Sequence, residues 1–158
     1  MIAYIVWFPN LIYIYIILKQ YFQVDNKKMD LTGTAKAFLE QYYGTMMSNK
    51  LNIANFYTNN STMTYGGTTY SGLKEIKDKI ESFAFQKIQF KVHSQDVQPG
   101  PIQGSFLVFV VGALQMDDSD TFNFTQVFNI CPNGQGGFYV HNDVFTTMWL
   151  IGQTIYVL

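Results

Sequence analysis

FQKIQFKVHSQDVQP, residues Phe85–Pro99, is where the period of the sequence changes. From Gln86 to Gln98 the apolar positions alternate. Ile88, Phe90 and Val92 fall on one face, and Lys87, Gln89, Lys91 and His93 on the other. A period of two marks a strand with one buried face. Upstream the period is longer. Leu31, Ala35, Phe38, Leu39, Tyr42, Tyr43 and Met46 recur every three or four residues and predict an amphipathic helix, with Asp30 or Thr32 as its cap. Asn52–Tyr57 predicts a short second helix. Leu73–Phe83 predicts a third, with Ile76 and Ile80 inward and its charges outward. Between them, Thr62–Tyr65 and Thr68–Tyr70 flank Gly66-Gly67, a pair that supplies the positive φ angles of a tight hairpin turn.

Downstream of Pro99 the strand pattern continues. Phe106–Met116 is a long β-rich run, Phe122–Ile130 alternates through Phe122, Phe124, Gln126 and Phe128, and Phe138–Phe145 closes the series. Pro99-Gly100-Pro101, Asp117–Asp120 and Pro132-Asn133-Gly134 separate them as turns. Helices followed by strands imply an α+β domain with helices packed on one face of an antiparallel sheet. The run FLVFVVGAL, residues 106–114, is apolar on both faces of its strand. One face suits the helices. The other predicts a second sheet, and hence a homodimer packed sheet on sheet.

A length of 158 residues implies one domain large enough to bury a core without staples. The single cysteine, Cys131, excludes an intrachain disulfide framework and fits a reducing compartment. One thiol with two distant histidines, His93 and His141, makes a metal site improbable. Charge argues against nucleic acid as a partner. All ten basic residues are lysines, and from Met29 onward ten acids face seven lysines, a net of −3. A phosphate-binding surface wants a basic stripe and arginine forks. A weakly acidic domain suits a basic protein partner.

The ends differ from the middle. Residues 2–18, IAYIVWFPNLIYIYIIL, carry no charge and reach the short limit of a membrane span, interrupted by Pro9 and Asn10. Residues 1–28 therefore read as an apolar extension: a leader outside the native domain, with Met29 as initiator, or a membrane anchor, or an ordered addition. If they span, Lys19, Lys27 and Lys28 keep the domain on the cytosolic side. Residues 29–148 form the domain. Residues 149–158 form an apolar tail that could add a strand or simply trail.

Five stretches resemble the nuclear transport factor 2 family. They are FLEQYY (Phe38–Tyr43), FYTNNSTMTYGG (Phe56–Gly67), FQKIQ with QDVQP (Phe85–Pro99), VVGAL with its acidic turn (Val110–Asp120) and HNDVF (His141–Phe145). Each is weak alone, but their order and spacing match without large gaps. The resemblance implies a cone-shaped, curved antiparallel sheet packed with three N-terminal helices, in a sheet-on-sheet homodimer. It implies a carrier and not an enzyme, with no cofactor. The cargo would be the small GTPase Ran in its GDP form, carried through nuclear pores by binding phenylalanine-glycine nucleoporins. The protein would then occupy cytoplasm, nucleus and the nuclear envelope at pores.

By the same resemblance, Tyr65, Phe85, Ile88 and Phe122 line a cone mouth that takes an aromatic side chain of Ran's switch II. Asp117, with Asp118 beside it, meets basic side chains of Ran at the rim. Phe109 and Val144 fall in the dimer interface, and Leu31 falls where the family keeps an aromatic for nucleoporins. Three positions depart from the family pattern: Gly66 replaces a common glutamate, Phe90 a frequent histidine, and Ser119 the second rim acid. Bland readings stand beside these. Asp117, Asp118 and Asp120 suit a solvated turn, the mouth aromatics suit a core, and Cys131 suits an inert buried position. His141 could form half of an acid/base pair. The sequons at Asn59, Asn60 and Asn123 mean nothing without secretion. Two other functions use this fold. One is an adaptor domain in RNA export or ribonucleoprotein assembly. The other is a small cavity enzyme, for which Tyr65, His93, Asp96 and Asp143 are the candidates. By strict alternation His93 and Asp96 point to opposite faces.

Overall fold

The computed structural model describes residues 30–151 and 154–157. The extension 1–28 and the readings placed on it lie outside the described residues. Helix α1 spans Leu31–Ser48 and buries Ala35, Phe38, Leu39, Tyr42 and Tyr43, the stripe that the spacing predicted. Asp30 directly precedes it. A 3₁₀ helix follows over Lys50–Phe56, opened by Asn49, whose side chain accepts the N–H of Leu51. Strands β1 (Thr62–Tyr65) and β2 (Thr68–Ser71) form the hairpin, with Gly66 and Gly67 at φ +55° and +79°. Helix α2 spans Gly72–Glu81 and buries Ile76 and Ile80. Four long strands complete the domain: β3 (Ile88–Pro99), β4 (Phe106–Met116), β5 (Phe122–Pro132) and β6 (Phe138–Ile151). The apolar end adds a short strand, β7 (Thr154–Val157), paired antiparallel to the end of β6.

The sheet runs β2-β1-β6-β5-β4-β3, and three helices pack on its curved, unclosed surface. It is mostly antiparallel, but β1 lies parallel to β6, with Thr62 beside Asn142 and Tyr65 beside Phe145. The buried face holds Phe106, Val108, Val110 and Leu114 on β4, and Phe124, Gln126, Phe128 and Ile130 on β5. Phe38 and Tyr42 of α1 pack their rings against Phe128 at 5.8 and 4.9 Å. The alternation that located the strands is thus the alternation that builds the core.

Two irregularities change what the alternation alone implies. In β3 the register shifts between Val92 and Ser94, leaving His93 as the extra residue. An inserted residue reverses which face each later side chain takes. Asp96 therefore lies opposite Phe109, on the outer face, and not on the face of Phe90. A second shift, between Asn129 and Ile130, makes His141 the extra residue of β6. Both bends add to the curvature of the sheet.

Gly112 lies in the middle of the sheet where there is no room for a side chain. It pairs with Val92 on one side and Phe124 on the other. A Cβ there would stand 2.6 Å from the Lys91 carbonyl oxygen and 2.7 Å from the Phe124 ring. Neither backbone nor a wholly buried ring yields cheaply. Gly112→Ala should therefore destabilise the domain by about 1–3 kcal/mol. Urea unfolding should read this as a lower midpoint at unchanged slope. An unaltered midpoint would mean that the strand has slack here.

Candidate functional site: an aromatic cavity over a buried carboxylate

Helix α1, the hairpin and the concave face of the sheet frame a narrow apolar cavity, part of it open to solvent. Its walls come from every layer. Met46 projects from α1, Met63 and Tyr65 from β1, Leu114 and Met116 from β4, and Phe145 and Thr147 from β6. Phe83 and Phe85 come from the segment between α2 and β3, and Ile88 and Phe90 from β3 itself. The rings form a continuous row. Phe85 stacks on Phe83 at 5.5 Å, Phe83 meets Tyr65 at 5.1 Å, and Tyr65 stacks on Phe145 at 5.1 Å with the planes 4° apart. Burial raises the Tyr65 phenol above its ordinary pKa, so the wall is neutral. The Lys79 ammonium lies 4.8 Å from the Tyr65 ring centre and 5.2 Å from that of Phe83, close enough for cation–π attraction.

The floor is polar and closed. Asp143 is 1% exposed. The Tyr57 hydroxyl donates to its Oδ2 at 2.6 Å, the Tyr42 hydroxyl to the same oxygen at 3.3 Å, and Gln126 Nε2 to Oδ1 at 2.8 Å. Tyr43 donates to Gln126 Oε1 at 2.9 Å, and the hydroxyls of Tyr42 and Tyr57 stand 2.8 Å apart. Loss of solvent pushes Asp143 up to about 6, although its three donors pull the other way. The same burial, with the nearby carboxylate, raises the tyrosines well above their usual range. A network this well satisfied holds the fold and leaves little capacity for a ligand.

The rim at the β4–β5 turn carries exposed Asp117, Asp118 and Asp120. Asp117 sits at φ +48°. Its Oδ1 accepts the N–H groups of Gln86 (3.0 Å) and Lys87 (2.8 Å). Ser119, where the family has an acid, is half-buried and serves the turn: its hydroxyl donates to the Asp120 carbonyl at 3.0 Å. Gly66 stands at φ +55°, so a glutamate there would be strained whatever lay opposite.

The structure brings together Tyr65, Phe85 and Ile88, while half-buried Phe122, at the start of β5 opposite Leu114, is outside the cavity lining. Of the four enzymatic candidates, Tyr65 and Asp143 line the cavity. His93 lies in a groove between α1 and β3, and Asp96 on the outer face, so neither joins them. His141 Nδ1 is buried without a hydrogen-bond partner, and its ring meets Tyr139 edge-on at 6.0 Å. Leu31 is the half-buried first residue of α1. Phe109 and Val144 are exposed on the outer face. Cys131 is buried, which raises its thiol pKa. Among the described residues no cluster of three or more His, Cys, Asp or Glu could hold a metal, and no helix is long and apolar enough to cross a membrane. Sequence reasoning named Asp143 as a candidate but missed the network of Tyr42, Tyr43, Tyr57 and Gln126 that closes the floor around it, although Gln126 interrupts a row of phenylalanines and Asp143 lies between the apolar residues of β6. Those two polar positions were the available signal.

A half-open cone with an aromatic cavity defines a class, and the comparisons agree with it. Residues 34–147 match the nuclear transport factor 2 (NTF2) domain. Nuclear transport factor 2B of Arabidopsis thaliana is 38% identical over 120 residues, covering 75% of this chain and 94% of that protein. Nuclear transport factor 2 of Emericella nidulans is 36% identical, covering 76% and 97%. The solved structure of nuclear transport factor 2 from Cryptosporidium parvum superposes with a TM-score of 0.73 at 35% identity, covering 75% of this chain and 95% of that one. A yeast complex of the deubiquitinase Ubp3 with its cofactor Bre5 shares the fold alone, at 20% identity and a TM-score of 0.69 over 77% of this chain and 100% of that one. The chain belongs to the nuclear transport factor 2 family.

The buried carboxylate gives a prediction with a sign. Its folded pKa lies above its unfolded value, so the stability it contributes is complete below about pH 4 and is lost as pH rises through about 6. Between pH 5 and pH 7.5 the wild type should lose about 1.4 kcal/mol relative to Asp143→Asn, roughly half of the whole effect of the shift. Unfolding curves for both proteins across that range measure the difference. A constant difference would mean that Asp143 stays ionised throughout.

Proposed function

We propose that this chain is a nucleocytoplasmic carrier that binds the GDP-bound GTPase Ran and returns it to the nucleus through pores lined with phenylalanine-glycine nucleoporins. The observation that carries this is the pairing of an aromatic-walled cavity with an acidic turn at its rim. Such a site suits a protein segment that offers an aromatic side chain flanked by basic ones. Tyr65, Phe85 and Ile88 take the aromatic, Phe122 supports the entrance, and Asp117 and Asp118 face the basic groups. Leu31, at the start of α1, belongs to the nucleoporin surface. Catalysis is the weaker reading, because the one buried acid in the cavity already accepts three hydrogen bonds.

GDP-loaded Ran should bind, and GTP-loaded Ran should bind far less, because a switch region enters the cavity. Phe85→Ala should cost about 2 kcal/mol or more, mainly by faster dissociation, since it empties an apolar anchor site. Asp118→Lys should instead slow association, with an effect that fades as salt rises. Asp118 makes the cleaner rim test, because Asp117 also holds backbone. Calorimetry and stopped-flow binding check these outcomes. Equal affinity for the two nucleotide states would remove the Ran reading and favour an adaptor.

We further propose that the carrier is a homodimer through the outer face of the sheet. Phe109, Val127 and Val144 lie side by side across β4, β5 and β6. Leu107, Phe109 and Val144 are 37%, 42% and 43% exposed. An apolar row of this kind on a central strand calls for cover. Val144→Glu would bury an unpaired charge in such an interface. Sedimentation at micromolar concentration should show a dimer for the full chain and a monomer for this variant. A monomeric wild type would contradict the proposal.

A further inference from the structure

One wall of the cavity is held by neither helix nor strand. Phe83–Lys87 is irregular, yet it supplies two of the rings that line the site. Its backbone polar groups need partners like any others. Two charged side chains take them up from opposite sides. Lys50, the first residue of the 3₁₀ helix, donates from Nζ to the carbonyl oxygens of Phe83 (2.5 Å) and Phe85 (2.6 Å). Its ammonium also lies 4.7 Å from the centre of the Phe85 ring. From the β4–β5 turn, Asp117 Oδ1 accepts the N–H groups of Gln86 and Lys87, while the Asp117 N–H donates to the Lys87 carbonyl at 2.8 Å.

We propose that Lys50 and Asp117 are positioning residues for the cavity: Lys50 clamps the carbonyls of the Phe83–Lys87 wall, Asp117 clamps its amides, and together they hold Phe83 and Phe85 ready for the partner's aromatic side chain. A wall ordered in advance loses no conformational entropy at the moment of binding. The identity of the partner rests on the Ran reading above; the clamp rests on the hydrogen bonds alone. Charge and geometry make opposite demands on Lys50. A partner with basic side chains should bind better once a lysine is removed from the mouth. A clamped wall should bind worse.

Lys50→Met and Lys50→Arg in the full chain separate the two. Amide hydrogen exchange at Gln86 and Lys87, whose N–H groups bond to Asp117, reads whether the wall stays ordered when the lysine on its carbonyls is lost, with Val108 and Val110 in β4 as internal references. Lys50→Met should speed exchange at Gln86 and Lys87 by about tenfold or more and leave the references unchanged. It should also speed dissociation of GDP-loaded Ran by about tenfold, with little dependence on salt. Lys50→Arg, which keeps the donors, should restore both. Unchanged exchange at Gln86 and Lys87, or tighter Ran binding by Lys50→Met at low salt, would overturn the proposal. So would equal loss of protection at Val108 and Val110, which would make Lys50 a general support of the fold. If the wild type fails to bind Ran, the carrier reading falls by itself, and the exchange rates alone decide the clamp.

Discussion

The structure depends on a carboxylate kept out of water. Asp143 lies in β6, and its three donors come from α1, from the residue after the 3₁₀ helix, and from β5. A buried acid without partners costs several kcal/mol, so each donor must stand within hydrogen-bond reach. That requirement fixes the rotation of α1 over the sheet, because Tyr42 and Tyr43 are adjacent and both bind into the network. It also fixes the height of the helix layer. The apolar stripe of α1 would tolerate small slides along the phenylalanines beneath it; the hydroxyls of Tyr42 and Tyr43 would not.

With the floor closed in this way, the cavity above it is a consequence of geometry. The sheet is curved and unclosed, with a bulge in β3 and another in β6, and the helices cover only part of the concave side. The uncovered part is lined by rings because the alternation of β3, β4 and β6 continues past the edge of the helix layer. Side chains that would be core under a helix become a cavity wall without one. The convex side follows the same alternation, and its apolar row at Phe109, Val127 and Val144 is the complement of the buried row. One pattern of alternating residues therefore yields a core, a cavity and an apolar outer face.

Much of this was legible in the residues. The change of period at Gln86, the helical stripe of α1 and the glycine pair of the hairpin located nearly every element. Tyr65, Phe85 and Ile88 were placed in the cavity through the family resemblance; periodicity alone would have called them core. Other features were not legible, and each has a local cause. The bulge at His93 leaves no compositional mark, yet it moves Asp96 to the outer face. The strand begins at Ile88 and not at Gln86, because the N–H groups of Gln86 and Lys87 bond to the Asp117 side chain in place of a ladder. The parallel placement of β1 against β6 depends on pairing between residues 80 positions apart, such as Thr62 and Asn142, which periodicity does not report. The role of Lys50 depends on a loop whose path no propensity specifies.

The central claim is that the aromatic cavity itself receives the nucleotide-sensitive partner. Methionine methyl resonances test it most directly, because Met46, Met63 and Met116 line the cavity whereas exposed Met47 faces the groove between α1 and β3. Titration of the methyl-labelled full chain with GDP-loaded Ran should move the Met63 and Met116 signals most, through the ring current of an entering aromatic, with Met46 following and Met47 little changed. GTP-loaded Ran at the same concentration should leave all four in place. Binding that leaves Met63 and Met116 unmoved, or that moves them equally in both nucleotide states, would contradict the account.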